Sequence, residues 1–287
     1  MKNLYVCNTA RDEIEKFDLK TLKVVDSIKL EGKERVWPYR ICVNNKTLII
    51  SSYKNNAIFL IDEHGVVEEF YLGSGCTDMK IVNNYLYVVC EESNTVVCFD
   101  IISKEIIEVI PCGISPRNID FSKVNNKFIV SNALSKNVTI FDLLEGGSIH
   151  NINVDSNPVK AIWNVNGESI FICENNVGIK RKGILREISL YTKKERTIEV
   201  GNIPVDMCYD GEYFYISNWG DGTISIVDAY RFKEISRLKV GGMLKKILID
   251  DKIIYVSEIQ KNNIIRIDNN RKKTLSLDYE PQGIIIQ

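Results

Sequence analysis

A short phrase returns along the 287-residue chain at intervals of roughly forty residues, and a period of that size specifies a repeat architecture rather than one interwoven core. Its clearest copies are Tyr5-Val6-Cys7-Asn8, Tyr215-Ile216-Ser217-Asn218 and Tyr255-Val256-Ser257-Glu258. Ile49-Ile50-Ser51-Ser52, Val88-Val89-Cys90-Glu91, Ile129-Val130-Ser131-Asn132 and Phe171-Ile172-Cys173-Glu174 complete a set of seven. The third position reads Ser or Cys throughout, and the fourth Asn, Glu or Ser. A second phrase follows each copy and ends on a turn former: Ile14 to Asp18, Ile58 to Asp62, Val96 to Asp100, Val138 to Asp142, Ile188 to Thr192, Ile224 to Asp228 and Ile264 to Asp268. An Asp or Thr there folds its side-chain oxygen onto the backbone two residues on and starts a turn.

A third phrase precedes each copy: Pro38 to Val43, Thr77 to Val82, Pro116 to Phe121, Pro158 to Trp163, Pro204 to Tyr209, Leu244 to Ile249 and Pro281 to Ile286. Five of the six prolines thus open a strand, where a missing N–H does least harm. With a further run such as Ile235 to Val240, each repeat holds four short strands, A to D, without helical periodicity. Four strands in about forty residues make one propeller blade. The expected fold is all-β, a single seven-bladed propeller domain with blades at 31–72, 73–112, 113–154, 155–200, 201–240 and 241–279. Residues 1–30 lack strand A and residues 280–287 consist of nothing else, so the two are expected to pair as blade 1 and close the ring, which removes exposed sheet edges.

With Tyr5-Val6-Cys7-Asn8 and its copies, the Asp turns, and the Gly-x-x-Pro steps at Gly113 to Pro116 and Gly201 to Pro204, the chain resembles the YVTN-repeat, YncE-like seven-bladed propellers over its whole length. That resemblance implies the fold; its members include ligand-binding proteins, scaffolds and lactonase- or lyase-like enzymes, so it does not single out an activity.

Composition narrows the classes. The formal net charge is −1, which argues against a nucleic-acid partner. The longest apolar run, Tyr85 to Cys90, is too short for a membrane span. Met1 to Asn8 already alternate like a strand, so no signal peptide is expected there, and eight cysteines without CxxC spacing read as reduced thiols; both point to a cytoplasmic location.

The D-to-A and B-to-C loops are expected to open on one face, around the mouth of the central channel, with the other face structural. Arg35, Trp37, Tyr39, Arg40, Arg117, Asn118, Lys160, Asp206, Lys245 and Lys246 fall in or beside D-to-A loops, and Trp219 follows a strand-B end. Aromatic and cationic residues of this kind anchor partners and ligands. The binding candidates are Trp37, Tyr39, Arg40, Arg117, Lys160, Asp206, Trp219 and Lys246, each weighed against plain repeat punctuation. Glu91, Glu174 and Glu258 occupy the fourth position in alternate blades and are weak candidates for Ca²⁺ or another divalent cation. Pairing with Arg40, Arg117, Lys160 or Lys246 is their favoured role. Cys76, Cys90 and Cys112 are expected at the mouth end of blade 3, where a thiolate site is conceivable but packing is favoured.

Both histidines fall away from the mouth, His64 in a C-to-D turn and His150 on an outer strand, which removes the commonest general base and argues against catalysis. Between Glu174 and Ile188 lie 13 residues where other blades have four or five, an insertion whose tip, Lys180-Arg181-Lys182, is basic and joins the binding candidates. The leading expectation is a non-enzymatic propeller, without a cofactor, that engages a protein or peptide at the mouth face. A metal-dependent lactonase or lyase and a small-anion sensor built on Arg40, Arg117 and Lys160 are the alternatives.

Overall fold

The computed structural model describes residues 2–30, 35–143, 147–176, 182–269 and 271–287. They form seven four-stranded antiparallel sheets, and no helix occurs among them. The protein is a seven-bladed β-propeller. The strand Pro281–Ile286 pairs with Asn3–Asn8, Leu4 opposite Ile286 and Asn8 opposite Pro281, so the two chain ends share blade 1.

Two compact units emerge, Met1–Ile110 with Leu248–Gln287, and Pro111–Ile247. The first contains blades 1 and 2, almost all of blade 3 and most of blade 7. The second contains blades 4, 5 and 6 and the start of strand A of blade 7.

Burial follows strand position. Strand B of blade 4, Lys127–Asn132, is buried on both faces after its first residue, whereas strand D of blade 1, Val24–Lys29, is almost wholly exposed. A strand covered by sheets on both sides must be continuously apolar, and that explains the Phe-Ile-Val runs. Apolar layers between successive blades form the cores. Cys7 and Ile14 of blade 1 pack with Ile41, Ile50 and Phe59 of blade 2; Phe171 and Leu185 of blade 5 pack with Met207, Phe214 and Ile216 of blade 6. The Ser/Cys position lies in such a layer and is fully buried; the Ser217 hydroxyl bonds the carbonyls of Asp206 in its own blade and Lys245 in the next (3.2 and 2.8 Å).

The turn phrase acts as its chemistry predicts. Asp62 accepts from the His64 and Val66 amides, Asp100 from Ile102, and Asp228 from Arg231. Two blades are offset from the sequence alignment. In blade 3, Cys76 pairs with Cys90 and Met79 with Val88, as Pro116 pairs with Asn132 and Ile119 with Val130 in blade 4. Cys76 therefore takes the proline position, Val89 the Ser/Cys position and Cys90 the fourth, and Glu91 lies one residue beyond. In blade 5 the turn begins at Ser189, whose carbonyl accepts from Lys193 as that of Asp100 does from Lys104, and not at Thr192. The insertion is correspondingly shorter: nine residues separate the paired Glu174 and Ile184, against four between Asn132 and Asn137.

Strand A is the edge of every blade, so one row of its backbone groups has no ladder partner. In blades 5 and 7 the preceding blade supplies one. Asn118 Oδ1 accepts from the Ala161 amide, Asp120 from Trp163 and Asp206 Oδ2 from Ile247 (2.9, 3.1 and 2.9 Å). A β-bulge makes this reach available. After the proline, pairing skips Tyr39, Arg117, Val159 and Val205, which re-aims the next side chain, Arg40, Asn118, Lys160 or Asp206. In blade 1 the equivalent residue is Gly283, where a Cβ would stand 2.6 Å from the Tyr39 carbonyl oxygen. Because that obstacle is backbone, Gly283→Ala is expected to destabilise by about 1–3 kcal/mol, read as a lower urea midpoint at unchanged slope; an unchanged midpoint would show that the strands part freely.

Candidate functional site

The D-to-A loop of blade 2 builds an aromatic and cationic patch in the first unit. Trp37 precedes the bulged strand with φ 50°, a left-handed conformation shared by Ser115 and Ile203 at the same repeat position. Its amide donates to Asp12 Oδ1 (2.9 Å), and Asp12 also pairs with Arg35 Nε (3.1 Å). Arg35 in turn donates to the Thr9 and Ala10 carbonyls. The loop is therefore held by blade 1, and its indole is set between two cations, with Arg35 Cζ at 3.8 Å and Lys54 Nζ at 4.2 Å from the ring centroid. Tyr39 lies 6.0 Å from Tyr53, and Arg40 Cζ lies 4.8 Å from the Tyr39 ring while its Nη1 bonds the Gln282 carbonyl. Burial and the bond to Glu92 push the Tyr53 hydroxyl up to about 12, so it remains a neutral donor. Trp37, Tyr39 and Arg40 thus lie within one short stretch, each with a ring or cation contact of its own.

In the second unit the re-aimed strand-A side chains bring Lys160, Asp206 and Lys246 together. Lys160 Nζ lies 2.7 Å from Asp206 Oδ1, and Lys246 Nζ 3.4 Å from Oδ2. Burial works to raise the Asp206 carboxyl, but the Lys160 and Lys246 ammoniums and the Ile247 amide together outweigh it and hold it well below the usual carboxylate range. Arg117 is exposed, its Nε 3.4 Å from Ser115 Oγ.

The fourth-position residues are largely occupied with their own loops. Asn8 and Ser52 cap the following turns at the Arg11 and Asn55 amides, and Asn218 bonds the Thr223 and Ser225 hydroxyls. These side chains also explain the Gly-x-x-Pro step. A Cβ on Gly113 would meet Asn132 Cγ at 2.8 Å, one on Gly201 Asn218 Cγ at 2.4 Å, and one on Gly73 the Cys90 sulfur at 3.1 Å. Glu258 accepts from the Gln260 and Lys261 amides of its own turn. Glu174 accepts from the Ser156 amide and from Arg186 Nε at 2.5 Å, a cation outside the expected set of Arg40, Arg117, Lys160 and Lys246. Trp219 is half-buried and its amide donates to the Ile203 carbonyl (2.9 Å).

Arg186 was not among the expected site residues. Instead of projecting with the insertion it is 6% exposed, with three carboxylates around it: Glu174, Glu195 (2.6 Å) and Asp155 (2.6 Å). Burial would lower its pKa, but Glu174, Asp155 and Glu195 hold it above its ordinary value. The available signal was positional: Arg186 fills the strand-C place of Thr139 and Ser225, which serve Asn132 and Asn218, and a glutamate in the fourth position calls for a cation there. Lys182 pairs with Glu199 at 3.0 Å on the surface; Lys180 and Arg181 lie outside the described residues.

His64 and His150 are exposed in a C-to-D turn and on an outer strand. Cys76 and Cys90 are buried with sulfurs 3.9 Å apart, and all eight cysteines are free thiols. At the opposite end of the blades from the mouth loops, where only structural turns were expected, a cleft of about 600 Å³ opens beside Phe171, Glu187, Arg196, Tyr209 and the fully exposed Tyr230.

No protein-family model and no curated protein matches the chain. Solved structures do. A functionally unknown protein from Desulfotomaculum acetoxidans superposes with a TM-score of 0.81 at 11% identity, over 99% of this chain and 98% of its own. Kuenenia stuttgartiensis hydrazine synthase gives 0.77 at 15% identity over 97% and 93%. A streptogramin B lyase gives 0.76 at 15% identity over 98% and 91%. Enzymes and a protein without known function stand side by side at these identities, so what the likeness establishes is the propeller fold.

Proposed function

We propose that this chain is a non-enzymatic binding propeller that engages a protein or peptide through the mouth-face loops of blade 2. The observation that carries this reading is the Trp37 indole set between Arg35 and Lys54, with Tyr39, Tyr53 and Arg40 beside it. Tryptophan, tyrosine and arginine are the residues that most often dominate binding energy, and a loop tied down by Asp12 loses little entropy on engagement. The cations fit a partner that presents carboxylates beside an apolar group, with an affinity that falls as salt rises. Eight free thiols fit a reducing compartment such as the cytoplasm.

Quantitative affinity capture with wild type, Trp37→Ala and Arg40→Gln tests the reading. One partner is expected to be enriched by wild type and reduced about thirtyfold in affinity by Trp37→Ala, the size of a hot-spot truncation. The melting temperature should change little, since Trp37 is only half-buried and each cation–π contact near the surface contributes about 0.5–1 kcal/mol. Equal recovery of every partner by all three proteins would overturn it.

A further inference from the structure

We propose that the cleft between blades 5 and 6, at the opposite end of the blades from the mouth loops, binds an organic cation: an ammonium or guanidinium group carried on an apolar stem. The site does not rest on the Trp37 reading, because none of its residues belongs to that patch.

A missing side chain opens the cleft. In blades 3, 4, 5 and 6 the residue after the turn former donates its amide to a carbonyl of the A-to-B turn: Ile101 to Asn84, Leu143 to Asn126, Leu190 to Glu168 and Ala229 to Glu212. These four positions are therefore equivalent. Three carry a large aliphatic side chain, and blade 6 carries only a methyl group. Truncating such a residue leaves a void, because its surroundings relax only in part. The cleft beside Ile101, between blades 2 and 3, measures about 260 Å³, and the cleft beside Ala229 about 600 Å³. The larger volume falls in the range of about 300–1,000 Å³ that holds small ligands.

Charge decides what fits. Three carboxylates line the cleft, Glu187, Glu212 and Asp228, against two guanidiniums, Arg196 and Arg231, so one negative charge is in excess. Arg196 pairs with Glu187, and Arg231 with Asp228 at 3.0 Å. In each pair the carboxylate is the recessed partner. Glu187 and Asp228 are 14% and 10% exposed, whereas Arg196 and Arg231 are 47% and 74% exposed. A well-solvated partner contributes little to an ion pair, so a cation entering from solvent meets acceptors whose charge is only weakly neutralised. Among the described residues Glu212 is paired with no cation; the Tyr213 hydroxyl, a neutral group, is its hydrogen-bond partner.

The aromatic lining fits the same ligand. Phe171 and Tyr209, with centroids 6.4 Å apart, line the cleft, and Tyr230 stands beside it at 93% exposure. Aromatic faces attract cations and cover an apolar stem. The turn that carries Tyr230 is fixed by the Arg231 amide on Asp228 Oδ1 (2.7 Å) and the Ala229 amide on the Glu212 carbonyl (3.0 Å), so the ring is presented without the cost of ordering a loop.

Isothermal titration of the full chain tests this, with agmatine, spermidine and the capped peptide acetyl-Gly-Arg-Gly-amide as cations and adipate as an anionic control. At least one cation is expected to bind, more weakly at high salt, and adipate is not. Affinity should fall about tenfold or more in Ala229→Leu, which refills the cleft without lowering the melting temperature, and about fivefold in Glu212→Gln and in Tyr230→Ala. Trp37→Ala should leave it unchanged, so this site and the mouth-face reading fail separately. Tighter binding of agmatine or spermidine identifies a free amine as the source, and tighter binding of the peptide an arginine side chain of a larger partner. On the unaltered protein, a saturating cation should protect Tyr230 from hydroxyl-radical oxidation relative to the exposed Tyr71 of blade 2, followed by mass spectrometry. No binding of any cation up to about 10 mM, equal affinity in Ala229→Leu, preference for adipate, or unprotected Tyr230 would overturn the site.

Discussion

Replacing Arg186 by methionine is expected to cost about 3–5 kcal/mol of stability, the largest effect of any single side chain outside the apolar layers. The loss comes from what remains behind. Glu174 is fully buried, and its Oε1 bonds the lost guanidinium while Oε2 bonds the Ser156 amide. Burial already pushes the Glu174 carboxyl up against the opposing pull of Arg186, and without that cation it moves further. A carboxyl whose folded-state value is raised contributes stability below that value and loses it as pH rises through it, so the variant's deficit should shrink in acid and widen toward neutrality. Urea titrations at several pH values measure this. Adding Glu174→Gln should recover most of the loss, because the stranded charge is then gone. A single variant as stable as wild type at neutral pH would mean that Glu174 is paired elsewhere.

Removing residues 280–287 is expected to abolish soluble, monomeric protein. Blade 1 would lose its strand A, including the buried Ile284, and the neighbouring strand Asn3–Asn8 would become an unpaired edge with Leu4 and Val6 beside it. A long apolar edge is a template for pairing with another chain. The soluble fraction after expression and size-exclusion chromatography report the outcome, and a synthetic peptide of residues 280–287 supplied during refolding should restore part of the yield. A truncated chain that stays monomeric and melts at the full-length midpoint would refute the shared blade.

The proline and aspartate punctuation made the strands and the shared blade legible, since each is a local rule about a missing donor or a turn-forming oxygen. Register was less legible. Val89-Cys90-Glu91 fits the repeat phrase one residue late because cysteine suits the Ser/Cys position, and only the pairing of Cys76 with Cys90 shows that valine occupies it. That shift displaces Glu91 from the series it formed with Glu174 and Glu258. In blade 5, Thr192 resembled the terminal Asp, which lengthened the apparent insertion and sent Arg186 outward. Once Ile172 is opposite Arg186, the guanidinium lies over Glu174 and the cluster follows. The Trp37, Tyr39 and Arg40 grouping was readable because it lies within one loop; the Lys160–Asp206–Lys246 triad was not, because it joins three blades through bulges that no composition reveals.

The reach of Asn118 to Ala161 and of Asp206 to Ile247 runs in one direction, from blade 4 to blade 5 and from blade 6 to blade 7. The instructions for finishing these two inner strands are therefore written in the blade before each. A blade moved by recombination would carry the cap for its new neighbour and leave its own behind. For duplication or grafting, a piece that carries both cap and capped amide must run slightly past one repeat, from Asn118 through Ala161 for example.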